Sequence, residues 1–241
     1  KTYFNIQYLT SRDHIIPYLS QFMDTCSSIR VLEVGCGEAG VLKAFLERGH
    51  DCTGIELEQK RIESARELFR ETEHGDRIKF IVKNIYDIDP QRDNLEPFDL
   101  IILKDVIEHI PDQEKIIPEL KKLSKPGGTL FFAFPPWYMP FGGHQQILRS
   151  KILSKIPWIH LLPGPLYRSL LQMAGEAEST VKELMELKAT GISIERFNAI
   201  ARQHFNIIDT SFWLINPIYE YKFKLRTRKV PGFLTKLPFF R

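Results

Sequence analysis

A short apolar run, Val31-Leu32-Glu33-Val34, leads directly into Gly35-Cys36-Gly37-Glu38-Ala39-Gly40 and then into a helical pattern. This order of strand, glycine loop and helix constrains the chain more than any other feature. In that setting the spacing G-x-G-x-x-G lets the backbone turn sharply and approach a ligand. The helix start behind the loop presents free N–H groups and the positive end of its dipole, which suit a carboxylate or a phosphate. Glu56 stands about twenty residues further on, at the end of a second apolar run, where a carboxylate can accept both hydroxyls of a ribose. A nucleotide-like ligand is expected.

Apolar runs alternate with helical patterns through the first half of the chain, the signature of βαβ units on a parallel sheet. Strands are predicted at 29–34, 51–55, 78–82, 98–103 and 129–134, each bounded by turn or charge signals. Helices are predicted at 11–26, 40–48, 58–73, 112–123 and 193–204, most of them ending at expected stop residues. Prolines punctuate the chain from Pro135 onward, which predicts a helical cap inserted at about 136–191. Two last strands, 206–215 and 218–225, are predicted as an antiparallel pair at the sheet edge. The expected architecture is α/β: a doubly wound, mostly parallel, seven-stranded Rossmann-like sheet with an antiparallel edge strand and a cap after strand 5. Residues 1–241 read as one domain.

With 241 residues, 43% of them hydrophobic and 26% charged, the chain can bury one substantial core. No run reaches the roughly 18 apolar residues that a membrane-spanning helix needs, and the first residues lack the order of a secretory signal. Cys26, Cys36 and Cys52 are odd in number and show no C-x-x-C spacing, which fits a reducing compartment and predicts a cytoplasmic protein. After Glu220 the chain carries Lys222, Lys224, Arg226, Arg228, Lys229, Lys236 and Arg241 and no acid, a tail that suits either solvent or an anionic partner. Nucleic acid is not expected, because no RNA-binding motif accompanies that charge.

Glu33-Val34-Gly35-Cys36-Gly37 resembles the first motif of the class I S-adenosylmethionine (SAM)-dependent methyltransferases, an acid followed by a glycine-rich loop. The resemblance extends through Lys83-Asn84-Ile85, through Phe98–Ile102 and through Lys125-Pro126-Gly127-Gly128, a turn expected before strand 5. It implies SAM as cofactor. It implies that Glu33 helps place the methionine end, that Gly35, Cys36, Gly37 and Gly40 pack the loop against the cofactor, that Glu56 binds the ribose hydroxyls, and that Leu57 also contacts the cofactor. Asn84 and Ile85 would meet the adenine, and Lys104 and Asp105 would line the methionine pocket. The sequence departs from the family pattern at Ala39, where a further glycine is common, and at Asn84, where aspartate is usual. An NAD-dependent oxidoreductase, disfavoured by the acid at Glu33, and a non-catalytic nucleotide-binding protein are the alternatives.

Methyl transfer from a sulfonium is an in-line displacement, so alignment and exclusion of water matter most, and a base helps when the acceptor is a hydroxyl. His144, His109 and Tyr138 are the catalytic candidates, with His144 the expected base. Pro135–Gln145 reads as a wall and a glycine hinge beside a small-molecule, glycan or lipid-like acceptor. No resident metal is expected. Asp105, Glu108, His109 and His144 are the one set that could hold a hard divalent ion, an acid placed before a Glu-His pair resembling the metal site of small-RNA and some quinone O-methyltransferases. Residues 147–171 combine four basic side chains with many apolar ones and no acid. Such a stretch suits a lid packed on the core or a peripheral contact with a membrane.

Overall fold

Four of the predicted strands form where the apolar runs place them: β1 (Arg30–Val34), β2 (Asp51–Glu56), β3 (Ile78–Val82) and β4 (Phe98–Lys104). The computed structural model describes residues 2–70 and 72–232. With β5 (Ser124–Ala133) these strands make a five-stranded parallel sheet of order β3-β2-β1-β4-β5. Val34 lies opposite Ile55 on one side and Leu103 on the other. The order reverses between β1 and β4, the switch point outside whose carboxyl ends ligands bind in open α/β sheets. Val31, Leu32, Leu100, Ile101 and Ile102 are fully buried, as strands covered on both faces require.

The chain divides into two units. The first gathers the residues up to Lys104, Lys115–Phe132 and Ile208–Lys229, and holds the sheet. Its helices include α1 (Thr2–Thr10), α2 (Ile16–Leu19), α3 (Gly40–Leu46) and α4 (Gln59–Phe69). The predicted helix 11–26 therefore begins earlier, and it stops at Leu19. It also widens to a π turn over Ser11–Ile15, because Pro17 has no N–H and its ring cannot follow the carbonyl four residues back.

A Cβ built on Gly40 would stand 2.5 Å from the Phe4 carbonyl oxygen and 2.8 Å from Gln7 Cβ, so this glycine lets α1 lie against the start of α3. Gly40→Ala is expected to lower the unfolding free energy by about 1–3 kcal/mol, an overpacking cost, seen as a lower urea midpoint. An unchanged midpoint would show that α1 moves aside freely.

The seven-stranded sheet is not formed. Besides the five strands, β6 (Trp213–Ile215) and β7 (Arg228–Lys229) make a separate two-stranded antiparallel sheet. Residues 218–225, predicted as a strand, carry the helix α9 (Ile218–Phe223). Asn216 Oδ1 accepts the Ile218 N–H at 3.1 Å, the Tyr221 hydroxyl donates to Asp13 at 2.6 Å, and Glu220 meets His14 at 3.1 Å. A helix start and two ties to the π turn thus outweigh the alternating pattern. Lys125–Gly128, predicted as a turn, already lies in β5, where Lys125 Nζ donates to both oxygens of Asp99 at 2.7 and 2.8 Å. In the basic tail, Lys229 packs over the Trp213 ring, while Lys236 and Arg241 lie outside the described residues.

The second unit gathers Asp105–Glu114, Ala133–Ile207 and the described residues from Val230. It contains α6 (Gly164–Met173), α7 (Glu178–Thr190) and α8 (Ile194–Ala201), while α5 (Gln113–Leu123) begins within it. Leu148, Leu153, Ile159, Tyr167 and Leu171 form its core with Val181 and Leu184 of α7. Among the described residues no helix is long and apolar enough to cross a membrane.

Candidate active site

In the first unit the loop after β1 takes left-handed backbone at Gly35 (φ 69°), Gly37 (φ 55°) and Ala39 (φ 60°). Glycine adopts this conformation without strain; Ala39 holds it as the N-cap of α3, fully buried. Glu56, at the end of β2, fastens the loop. One of its carboxylate oxygens accepts the Gly37 N–H at 2.8 Å, and the other accepts those of Leu57 at 2.8 Å and Glu58 at 3.1 Å. A Cβ on Gly54 would lie 2.6 Å from Cys36 Sγ, so the bare Gly54 backbone lets the loop settle on β2. Burial pushes the Cys36 and Cys52 thiols well up, the buried Glu33 carboxylate adding to both, so neither is a nucleophile. Cys26 is exposed.

Glu33 is buried in β1, in register with Gly54 of β2 and Ile102 of β4. Leu57 is exposed just past β2, and Asn84 caps the short turn Ile85–Asp87, its side chain accepting the Tyr86 N–H at 3.1 Å. Lys104 is buried at the last position of β4. The first unit thus supplies a buried acid in β1, backbone at Gly37 approached by the Arg61 side chain, and a carboxylate braced at the end of β2. These residues fit SAM.

The second unit brings two of the catalytic candidates, His109 and His144, together with Glu108. Glu108 and His109 sit in a short 3-10 turn, Ile107–His109. His144 sits in left-handed backbone (φ 54°) just before Gln145–Ile147. Glu108 Oε1 lies 3.9 Å from Nε2 of both His109 and His144, and the two rings are 5.3 Å apart. One donor atom from each of the three residues falls within 4.8 Å of the others. Glu108 is buried. Burial pushes the His144 imidazole down to about 4, with the His109 charge adding to the effect and Asp105 opposing it. Burial also lowers His109, opposed by Glu183 and Asp105. Both imidazoles are therefore neutral near pH 7, as a proton acceptor or a metal ligand must be. Asp105 opens the unit with φ 55°, its N–H donating to the Ala133 carbonyl at 2.7 Å.

Several supports of this cluster carry no local sequence signal. The buried Gln113 amide donates to the carbonyls of Ile107 and Thr190, and the Thr190 hydroxyl donates to the Glu108 carbonyl at 2.6 Å, which fixes the turn from across the chain. Gln145, fully buried, donates to the Pro140 and Ile156 carbonyls. The expected glycine hinge is instead a packed corner. A Cβ on Gly142 would lie 2.4 Å from the Pro136 oxygen, and one on Gly143 would lie 2.2 Å from His160 Cβ. Tyr138 is half-exposed, and its carbonyl accepts the Trp158 indole N–H at 3.1 Å.

His50 and His160 are fully buried, and burial is the main cause that lowers the pKa of each. Below about pH 6.5 the unfolded chain binds protons at these sites that the folded chain refuses, so stability falls on acidification. The urea midpoint is expected to be steady above pH 7 and to decline from about 6.5 downward. A midpoint that stays level to pH 5 would contradict neutral burial.

A parallel sheet reversing at β1 and β4, a glycine loop there and a carboxylate braced at the end of β2 make the cofactor site of a Rossmann-like fold. Residues 32–132 match the family model described as a methyltransferase domain, and the protein is a methyltransferase that uses SAM. A ubiquinone biosynthesis O-methyltransferase of Actinobacillus pleuropneumoniae serotype 5b (strain L20) is 27% identical over 205 residues, covering 84% of this chain and 81% of that one. Its namesake in Vibrio atlanticus (strain LGP32) is 32% identical over 125 residues, 50% of this chain and 51% of that one. Among solved structures, Haemonchus contortus phospholethanolamine N-methyltransferase 2, in complex with phosphomonomethylethanolamine and S-adenosylhomocysteine, superposes with a TM-score of 0.57 at 17% identity. It covers 87% of this chain, which spans 40% of that longer one, and shares its fold.

Proposed function

We propose that the protein methylates an oxygen of a small-molecule acceptor of lipid-like or glycan-precursor chemistry, with His144 taking the proton from the acceptor hydroxyl. The observation that carries this reading is the convergence of His144, His109 and the buried Glu108. Bound SAM supplies a methyl group activated on a sulfonium. Glu33, the loop backbone and Glu56 hold SAM; Leu57, Asn84, Ile85, Lys104 and Asp105 complete its surroundings. A neutral imidazole accepts a proton, and Glu108, 3.9 Å away, stabilises the imidazolium that results. Tyr138 contributes a phenol to the acceptor side. The name of the relatives at 27% and 32% identity supports oxygen as the methylated atom. The acid-free segment 147–171 makes peripheral membrane contact part of this reading.

One observation favours a second reading. Two neutral imidazoles and a carboxylate with donor atoms within 4.8 Å fit a divalent ion, which would polarise the acceptor oxygen in place of a base. The deciding assay follows labelled methyl from SAM onto phenolic and glycan precursors, free and lipid-linked, with and without EDTA. An O-methylated product formed equally in EDTA supports His144 as base. Loss in EDTA restored by a divalent ion supports the metal. Methylation only of nitrogen or carbon acceptors would overturn the proposal.

A further inference from the structure

The sequence from Leu120 to Gly175 contains no aspartate or glutamate. Within the second unit that stretch carries Arg149, Lys151, Lys155 and Arg168. The structure sorts its apolar residues into two sets. Leu148, Leu153, Ile159, Tyr167 and Leu171 turn inward and complete the core with α7. A second set stays in solvent: Ile152 is 75% exposed, Leu166 55% and Met173 86%, with Ile156, Trp158 and Leu161 also exposed. Folding of the unit does not require these side chains. Scattered single apolar residues are ordinary on a surface, but six within 22 positions, interleaved with cations and no acid, are not.

The outward set is also held in place. The buried Glu176 carboxylate accepts the Arg149 and Ser150 N–H groups at 3.0 and 2.9 Å. Gln145 pins the Ile156 carbonyl at 3.2 Å, and the Trp158 indole N–H is held by Tyr138 while its ring remains half-exposed. Leu166 and Met173 are two turns apart on α6, so they share one stripe of that helix. An amphipathic indole at such a boundary suits the level of lipid headgroups.

We infer that residues 147–173 form a docking surface for an anionic lipid bilayer, with Ile152, Ile156, Trp158, Leu161, Leu166 and Met173 entering the interface and Lys151, Lys155, Arg149 and Arg168 meeting lipid phosphates. Charge complementarity selects this occupant. An acid-free basic rim around apolar side chains matches an anionic membrane, which attracts cations and solvates apolar groups in one layer. The inference deepens the membrane part of the proposed function and does not depend on which acceptor is methylated.

Flotation with vesicles tests it, using phosphatidylcholine alone and phosphatidylcholine mixed with phosphatidylglycerol. The whole protein is expected to float with the mixed vesicles at low salt and to be released at high salt. Lys151→Gln and Lys155→Gln should each weaken partitioning about five-fold. Ile152→Asp combined with Met173→Asp should abolish it, while SAM affinity by calorimetry stays at the wild-type value, showing that the fold and cofactor site are intact. No flotation, equal binding to both vesicle types, or binding unaffected by these substitutions would overturn the inference. So would sedimentation showing a dimer that Ile152→Asp dissolves, since the surface would then be covered by a second copy. Failure of flotation with methyl transfer to oxygen intact would remove the membrane surface and leave the enzyme reading standing.

Discussion

His144→Ala is expected to lower kcat by about 10²–10⁴-fold while SAM binds as before, because the substitution removes a proton acceptor and leaves the other unit's cofactor residues untouched. His144 is partly accessible, its ring lies beside His109, Glu108 Oε1 stands 3.9 Å away, and Asp105 favours a positive charge on the imidazole. His109→Ala should cost less, since it removes a neighbour that holds His144 in its neutral state and not the acceptor itself. The pair of measurements needed is single-turnover methyl transfer and calorimetric SAM affinity. If His144→Ala keeps wild-type turnover, the base assignment is wrong, and full activity in EDTA would remove the metal reading with it. If both affinity and turnover collapse, the residue is supporting the fold.

The second large effect is at Glu56. Its carboxylate accepts three backbone N–H groups, from Gly37, Leu57 and Glu58, and so sets the shape of the loop, and in the proposed function it also holds SAM. Hydrogen bonds to a charged acceptor contribute about 1.5–3 kcal/mol each, so Glu56→Ala should weaken SAM binding by at least about 100-fold. Glu56→Gln keeps an acceptor oxygen and should fall between the two. Calorimetry decides it: an unchanged Kd in Glu56→Ala would place the ribose elsewhere.

The parallel sheet was legible because its signals are local. β1 to β4 are short apolar runs closed by glycine or charge, and period and punctuation suffice to find such runs. The cofactor loop was legible for the same reason. What failed was the end of the chain. Tyr219, Tyr221, Phe223 and Leu225 alternate with Glu220, Lys222 and Lys224 as a strand would, yet the segment becomes α9, because the Asn216 side chain accepts the Ile218 N–H just ahead of it and Tyr221 and Glu220 reach residues 13 and 14 some two hundred positions away. Alternation cannot report such ties. The grouping of Glu108, His109 and His144 was half legible: the three stood out by residue type, but the turn carrying Glu108 and His109 is held by Gln113 and Thr190, which no spacing rule connects to it. Gly142 and Gly143 look like a hinge in sequence, whereas in the fold the space a side chain would need there is already taken by Pro136 and His160.

The sorting of the three thiols has a practical consequence. Cys36 and Cys52 are sealed inside the sheet unit, and only Cys26 meets solvent. A maleimide dye should therefore attach at one position of the unaltered chain, after α2 and ahead of β1, away from the cofactor loop in sequence. Such a label would give an optical reporter of the first unit without engineered cysteines, and mild oxidation should join molecules through Cys26 while leaving the loop's own sulfur unmodified.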